Sequence, residues 1–229
     1  MNAVDFVTDG ADQAENIEPS LSEMAYGRIL EQILSGNLPP GTILQDRRIA
    51  ESLSMSRTPV REALGRLEAE SLVTRSRGQA PVVSNVGVET FVCILDMRRI
   101  LEVEAAGRAT GHVQQQTADR VLAAIDELLT VETLTSAQHW AVDDLVHETI
   151  ADAAGNPLLA STIRDLRRRT RLFNTKRISS RLRPGGSEHV KLIDAVMGSD
   201  PELSRLTMGN HIDNVRDAII EYILGAKRS

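Results

Sequence analysis

The feature of this sequence that most constrains its fold is a series of three helical patterns followed by a short two-stranded pattern, all within residues 21–83. Apolar residues recur at helical spacing from Leu21, and the GNLPPG segment at 36–41 must end that helix because proline and glycine break helices. Further apolar faces predict a second helix over residues 46–53 and a third that begins near residue 58 and ends near residue 70.

The end of this segment has the pattern of a β-hairpin. Residues 72–74 and 82–83 are β-prone, and the RSRGQAP sequence between them contains the glycine that a tight turn needs. Three helices and a small hairpin together predict a winged helix-turn-helix domain, with the hairpin as the wing.

From Glu89 onward, strand signals nearly vanish and helical periodicity continues to Leu224. Helices are predicted at 89–111, 116–130, 137–154, 157–176, 187–198 and 201–224. Turn or cap signals at 155–157, 184–186 and 199–201 separate neighbouring antiparallel helices. The predicted fold class is therefore mainly α, with a winged helix-turn-helix followed by an all-α antiparallel helical bundle.

Charge supports a division of the chain into three parts. Residues 1–19 are polar, acidic and aperiodic and are predicted to be a disordered tail, followed by the winged domain at 20–85 and the helical domain at 86–229. A net charge of −6 argues against a polycation that coats nucleic acid nonspecifically. Residues 21–85, however, contain eight arginines and seven acidic residues, so the excess of acidic residues lies elsewhere in the chain.

Features that the sequence lacks bear on its location. No apolar run approaches the ~20 residues that cross a bilayer, and the N-terminus MNAVDFVTDGADQAEN is acidic where a signal peptide is basic and then apolar. The single cysteine, Cys93, lies in the apolar FVCIL stretch, which favours burial as a small hydrophobe over a redox role. We therefore expect a cytoplasmic protein with no membrane partner.

Arginines cluster at the starts of the second and third predicted helices. Arg47 and Arg48 lie at one start, and Arg57, Thr58 and Arg61 lie at the next. The N-terminus of a recognition helix points into the major groove, where it attracts phosphate and where arginine can read guanine through paired hydrogen bonds. A lone arginine is more often a solvated surface charge, but this clustering favours DNA binding.

The segment LPPGTILQDRRIAESLSMSRTPVREALGRLEAESLV resembles the GntR family of bacterial regulators at nearly every motif position. The resemblance implies three arginines that contact DNA: Arg47, Arg57 and Arg61. It also implies that Thr58 binds a phosphate at the start of the recognition helix. Arg77 and Gly78 match the tip of the wing, and Arg77 or Gln79 is a candidate for contact with the minor groove.

Three of the five histidines fall in a pattern with an aspartate. Asp143 and His147 are four residues apart, so a helix places both side chains on one face, within reach of a shared cation. His189 and His211 lie on two other predicted helices and complete a metal site only if the helices converge. The alternative is that His147 is a satisfied core residue and His189 a surface residue.

The second half of the chain resembles the ligand-binding domain called FCD, which defines the FadR-like GntR subfamily, through LDMRRILEVEAAGRA, DDLVHETIADAAGNPLL and EHVKLIDAV. The resemblance implies a divalent metal ion (zinc, nickel or manganese) held by four residues: Asp143, His147, His189 and His211. Arg98 matches the arginine of the opening motif, which implies a guanidinium that grips a small carboxylate effector. An intrahelical pair with Glu102 is the alternative for Arg98.

Taken with the DNA-binding motif, the resemblance implies a ligand-responsive transcriptional regulator, a homodimer that binds a pseudo-palindromic double-stranded DNA operator. Two alternatives remain open, a regulator whose metal is purely structural and a metal-dependent hydrolase. Glu148 is the nearest spare base for hydrolysis, but on a helix it points about 100° away from the neighbouring His147. We therefore predict no enzyme activity.

The run RRRTRLFNTKR at 167–177 is strongly basic. We predict a solvated helix face, with Leu166, Phe173 and Ile178 as the inward stripe, because charged runs on bundle helices usually face water. Binding of the effector or contact between the domains is the alternative.

Overall fold

The computed structural model describes residues 19–172 and 182–226 of the chain. The predicted tail falls almost wholly outside the described residues, as do Phe173 and Ile178 of the basic run. None of the helices in the described ranges has both the length and the apolar character that crossing a membrane requires.

The N-terminal domain is the predicted winged helix-turn-helix. Its elements are α1 (Leu21–Leu34), α2 (Asp46–Leu53), α3 (Arg57–Ala69), β1 (Val73–Thr74) and β2 (Val82–Val83). Ser20 begins α1 through a capping box with Glu23, and Gly36, at φ +82°, allows the turn that follows the helix. The strands pair antiparallel, with Val73 opposite Val83, so the predicted hairpin is confirmed.

A single apolar core holds these elements together. The helices contribute buried side chains from one face each, and the strands close the core from the side. The largest fully buried residues of this core are Leu44, Leu64, Leu67 and Leu72. The exposed faces of α2 and α3 are thereby directed away from the core, which fixes where their arginines lie.

The C-terminal half is an all-helical bundle, as predicted. Its helices are α4 (Val88–Ala109), α5 (Gln115–Thr130), α6 (Ser136–Ala153), α7 (Pro157–Arg171), α8 (Leu182–Met197) and α9 (Pro201–Ala226). Helix α4 is central, since it packs against α6, α7, α8 and α9. Asn156 caps α7 by accepting hydrogen bonds from the backbone N–H groups of Leu158 and Leu159.

The start of α8 differs from the prediction. The Pro-Gly-Gly segment at 184–186 was expected to separate two helices, but it lies within the first turns of α8. Proline is tolerated in the first turn of a helix. The glycines permit close packing, because a Cβ atom at Gly186 would lie 2.8 Å from Leu129 Cδ2 and one at Gly185 would lie 3.2 Å from His139 Cε1.

The environment of Cys93 also differs from the prediction. Its side chain is exposed rather than buried. Phe91, Leu95 and Arg98 form the buried face of α4, and Cys93 lies on the opposite face with the exposed Met97. The FVCIL stretch is apolar on both faces, so hydropathy there did not identify which residues point inward.

The basic run is not a solvated face where the structure describes it, so that prediction is wrong for residues 167–172. Arg167 and Thr170 are buried within the helical domain. Leu172 is buried in the core of the winged domain, and Arg169 Nε donates to the backbone oxygen of Glu70, 3.1 Å away. The end of α7 therefore joins the two domains, which is the alternative that the sequence left open.

Candidate DNA-binding surface and metal centre

The start of α3 presents polar groups to solvent while its apolar face is buried. Arg57 and Thr58 are exposed, whereas Pro59 and Val60 are buried in the domain core. Ser56 at the N-cap makes no side-chain cap hydrogen bond. The first-turn N–H groups and the helix dipole can therefore act on a phosphate.

Asp46 organises the arginines of this surface. Arg57 Nη2 lies 2.9 Å and Arg61 Nε lies 2.6 Å from Asp46 Oδ2, so one carboxylate at the start of α2 holds both side chains of α3. The hydrogen bonds from Arg61 and Arg57 lower the pKa of Asp46 to about 2. At neutral pH the carboxylate is ionised, and the two guanidinium groups are held side by side in the protein before DNA is present.

We expect Asp46→Asn to raise affinity for mixed-sequence duplex DNA about threefold to tenfold at low salt, because both arginines lose a carboxylate that competes with phosphate. The dependence of affinity on salt should also steepen by up to about 1. The ratio of specific to nonspecific affinity should fall, because the guanidinium groups lose their fixed orientation. Fluorescence anisotropy with a selected and a scrambled duplex measures both. Glu62→Gln, which removes an exposed charge of α3 that has no ion pair with Arg57 or Arg61, should change neither quantity.

A groove runs from the start of α3 to the wing. Arg47, Arg61, Arg75 and Gln79 line it, and Arg47 is 79% exposed while it pairs with Glu51. Gly78 lies in the wing turn at φ +79°, and its neighbour Arg77 is exposed. All six residues assigned to DNA from the sequence therefore lie on the exposed surface of this domain. Arg75, which the sequence did not single out, lines the same groove because the folded hairpin brings it beside Arg61.

The four predicted metal ligands come together in the helical domain. Their ligand atoms all lie within 4.8 Å of one another, and all four residues are buried: Asp143, His147, His189 and His211. Nε2 of His147 lies 3.2 Å from Nε2 of His211 and 3.8 Å from Oδ1 of Asp143. Nε2 of His189 lies 3.2 Å from the same aspartate oxygen. Helices α6, α8 and α9 thus converge on one point.

Carboxylates behind the histidines orient two of the rings. Glu102 accepts a hydrogen bond from Nδ1 of His147, and Glu188 accepts one from Nδ1 of His211 at 2.8 Å. Because an ionised carboxylate can only accept, each ring carries its proton on Nδ1. With the Nδ1 proton directed at a carboxylate, each ring presents Nε2 to the cluster, which is the usual arrangement around a protein-bound metal.

Protonation states also suit a cation. Burial, together with the nearby Arg167, lowers the pKa of His147 to about 3, so this ring is neutral at pH 7. Burial would raise the pKa of Glu102, but Arg98 and His147 outweigh it and hold that pKa well below its usual range. Burial acts on Asp143 in the same way, and Arg167 and His189 likewise hold its pKa low. Burial also lowers the pKa of His189, so the cluster offers two neutral imidazoles and an anion.

His189 provides the test of whether a metal fits. Its side chain is fully buried, yet neither ring nitrogen makes a hydrogen bond within the described part of the chain. Nε2 lies 3.2 Å from Asp143 Oδ1 without a hydrogen bond between them, and a buried polar atom without a hydrogen bond is unfavourable by about 1–3 kcal/mol. A cation ligated by Nε2 removes the penalty at that nitrogen, and three nitrogens with one oxygen are a donor set for zinc, nickel or manganese.

Beside the cluster lies a cavity of about 30 Å³. Arg98, Asp143, Thr170 and His211 supply polar groups to its wall. The apolar part of the wall is formed by Phe91, Leu95, Trp140, Ile212 and Val215. Arg98 Nε donates to Glu102 at 2.6 Å, and Arg98 Nη1 lies 3.4 Å from Thr170 Oγ1. Arg98 thus forms the intrahelical pair with Glu102 and also lines the cavity, and its contact with a carboxylate effector stays a prediction.

Sequence reasoning missed three charged residues that surround the cluster. Glu102 was considered only as a partner of Arg98, and Glu188 only as the first letter of the EH segment. Arg167 was assigned to a solvated face, but its Nη2 lies 2.5 Å from Asp143 Oδ2 and 2.8 Å from Asp144 Oδ1. The spacing of Glu102 from Arg98 was the available signal, since four residues place both on one helix face.

Glu102→Gln should weaken metal binding about 10- to 100-fold, because loss of a partner that orients a ligand typically has an effect of this size. The amide can accept from His147 but cannot stabilise the charge that the ligand set shares with a cation. Competition with a chromogenic chelator measures the affinity. Glu104→Gln, two residues along α4 and paired only with surface arginines in the described structure, is the matched control and should leave the affinity unchanged.

A winged helix-turn-helix with an arginine-bearing recognition helix, joined to a helical domain with a buried polar site, defines a DNA-binding regulator with a separate sensing domain. Residues 21–83 match the model of the bacterial regulatory proteins of the gntR family, and residues 93–214 match that of the FCD domain. The chain belongs to the GntR family of transcriptional regulators and carries an FCD ligand-binding domain.

Two curated relatives and one solved structure show how far the likeness extends. The chain is 28% identical to the HTH-type transcriptional regulator LutR of Bacillus subtilis, over 83% of this chain and 97% of that protein. It is 27% identical to the gluconate operon transcriptional repressor of the same species, over 82% of this chain and 80% of the repressor. Escherichia coli McbR/YncC superimposes with a TM-score of 0.79 at 25% identity, over 89% of this chain and 99% of that one.

Proposed function

We propose that this GntR-family regulator senses a small organic acid through a divalent metal ion in its helical domain and responds by changing its affinity for operator DNA. The observation that carries the proposal is the buried convergence of one aspartate and three histidines beside an arginine-lined cavity. This cluster lies within the FCD domain, which is the ligand-binding domain of these regulators.

The metal would be held by Asp143, His147, His189 and His211, with Glu102 and Glu188 fixing the two rings they contact. A bound divalent cation would supply positive charge and open coordination positions to an anionic ligand. The protein's own residues prepare that position. Arg167 balances the charge of Asp143, and burial lowers the pKa of His147 and His189 so that these two rings are neutral at pH 7.

The effector class is a small carboxylate such as a hydroxy acid or sugar acid. Arg98 and Thr170 line the cavity, and a guanidinium there can pair with a carboxylate through two hydrogen bonds. The gluconate repressor named above is a relative whose name refers to a sugar acid. With about 30 Å³ of space, the cavity holds water-sized occupants, so entry of an acid must move a side chain such as Arg98 away from Glu102.

The DNA-binding residues are Arg47, Arg57, Thr58, Arg61, Arg77 and Gly78, on a domain that we place at residues 20–85. The domain at 86–229 would hold two chains together as a cytoplasmic homodimer and set two winged domains on the half-sites of a pseudo-palindromic operator. An effector then acts by preferring one spacing of the winged domains over another.

Titration calorimetry tests the proposal directly. Zinc-loaded and chelator-treated protein are each titrated with lactate, glycerate, gluconate and citrate, and binding to a selected operator duplex is measured with and without the acid that binds. We expect saturable binding of one acid that requires the metal and changes operator affinity. A metal that stabilises the fold while no acid binds or alters DNA affinity would instead make the metal structural.

The hydrolase alternative has little geometric support. Glu148 lines a separate surface groove with Thr117 and Arg120, outside the cavity beside the metal ligands. A general base must reach the water or substrate that it deprotonates. Metal-dependent, saturable hydrolysis of a panel of esters and amides by the purified protein would overturn the assignment as a sensor.

A further inference from the structure

We propose that the C-terminal end of α7 couples the metal centre to the recognition helix, with Arg169 as the positioning residue that transmits the coupling. This inference rests on the proposed function, because it assumes that the ligand cluster is where the signal arises. It assigns a role to the contacts of Arg168, Arg169 and Leu172 with the winged domain, which neither DNA recognition nor metal ligation uses.

One side of α7 is tied to the metal centre. Arg167 bridges Asp143, a predicted ligand, and Asp144, which is not one. Arg171, one turn later, donates to Oδ2 of Asp144 at 2.7 Å. Thr170 lies between them and faces Arg98 in the cavity wall. A change in the position of the Asp143 carboxylate therefore acts on α7 through a buried ion pair.

The other side of the same two turns is tied to the winged domain. Arg169 Nε donates to the backbone oxygen of Glu70 at 3.1 Å, and Arg168 Nη2 lies 3.5 Å from the Glu70 carboxylate. Leu172 is only 4% exposed and belongs to the apolar core of the winged domain. The end of α7 is thus attached to the winged domain by both polar and apolar contacts, which together fix its position on that domain.

Glu70 is a suitable receiver for this contact because it caps the C-terminus of α3. Its carboxylate accepts hydrogen bonds from Tyr26 on α1 at 2.6 Å and from Arg66 on α3 at 3.2 Å. A shift of α7 at Glu70 consequently moves α1 and α3 together as a rigid pair. The arginines that face DNA lie at the opposite end of α3, so a small rotation at Glu70 changes where they point.

Residues 84–87 also connect the domains covalently and lead into α4. Helix α4 contacts His147 through Glu102 and forms part of the cavity wall through Arg98. Within the described residues, however, α4 makes no hydrogen bond or ion pair with Glu70 at the end of α3. In α7 the residues that contact the two sites are adjacent in the chain, with Arg167 on one side and Arg168 and Arg169 on the other. Two sites that bias one rigid element are the physical basis of allosteric coupling.

The first experiment measures operator affinity of zinc-loaded and chelator-treated protein, with a duplex selected from a random library. We expect zinc to change the dissociation constant of the native chain by about 5-fold or more, which is the lower end of typical couplings. In Arg169→Ala the two constants should agree within about twofold while the zinc content stays at the native level. Arg164→Ala removes the same charge from α7 at a pair with Asp152 on α6 and should keep the native ratio.

The inference is overturned if zinc changes the operator dissociation constant of Arg169→Ala by the same factor as that of the native chain. It is also overturned if the native chain binds zinc stoichiometrically with no change in operator affinity. If no zinc binds at all, the metal proposal fails by itself, and a second experiment still decides the coupling. Asp144→Asn loosens α7 without removing a predicted ligand. We expect the double variant Asp144→Asn/Arg169→Ala to have the same operator dissociation constant as Arg169→Ala alone. If the double variant instead changes that constant by the product of the two single effects, no signal passes through the contact of Arg169 with Glu70.

Discussion

Replacement of both Arg57 and Arg61 by alanine is expected to reduce operator affinity at least about 100-fold and to lower the salt slope by about 2. Each arginine that pairs with a base or phosphate contributes about 1–3 kcal/mol, and the pair sits at the N-terminus of the recognition helix. Loss of both arginines also removes the two ion pairs of Asp46, so its negative charge repels the phosphates of the DNA.

Two controls separate these contributions. The triple variant with Asp46→Asn removes the repulsive carboxylate and should recover only part of the affinity, since the contacts themselves stay lost. Arg108→Ala/Arg120→Ala removes the same charge from exposed positions of the helical domain and should leave the affinity near the native value. Native affinity and salt slope in the Arg57/Arg61 variant would contradict the assignment of this surface to DNA. Fluorescence anisotropy between 50 mM and 200 mM salt, on the order of the range that resolves such slopes, measures both quantities.

His189→Ala is expected to lower the affinity for zinc about 100- to 1,000-fold, since a four-ligand site contributes roughly 10–16 kcal/mol in total. His189 is the most informative ligand to remove, because it makes no hydrogen bond in the described structure that its loss would break. At zinc concentrations 1,000-fold above the native dissociation constant, the native protein should gain about 4 kcal/mol of stability and the variant far less.

His139→Ala is the matched control for that experiment. His139 is a buried imidazole on α6 that lines the same cavity and stacks on His189 with ring centroids 6.4 Å apart, but it is not one of the four clustered ligands. Its removal should lower the melting temperature of the zinc-free protein while leaving zinc affinity close to native. Equal losses of zinc affinity in both variants would mean that the cavity as a whole, rather than a defined ligand set, binds the ion. Calorimetry and thermal melts with and without zinc give both quantities.

Local pattern was sufficient to predict most of the elements. Helix α2 occupies residues 46–53 as its apolar spacing predicted, and α3 begins one residue earlier than expected because Ser56, not Arg57, is the N-cap. The prediction of a break at the Pro-Gly-Gly segment was wrong because proline and glycine occur in two structural contexts. They end helices, and they also allow a helix to start against a neighbour that comes too close for a Cβ atom.

The ligand set was predictable, and its surroundings were not. Spacing of four residues placed Asp143 and His147 on one face, but convergence with His189 and His211 depended on a family resemblance and not on physics. Glu102 and Arg167 bear on the cluster from other helices, and a single sequence carries no signal for which charged residues of distant helices meet in a core. The same limit explains why the basic run was assigned to solvent.

Leu172 has a consequence for chimaeric regulators. Its side chain belongs to the helical half of the sequence but fills space among the buried residues of the winged half. A hybrid that grafts residues 20–85 onto the helical half of a relative will therefore meet a foreign side chain at this position, and its melting behaviour will report how well the two halves match. Exchange of the winged half together with the last turn of α7 is the cut that respects this shared core.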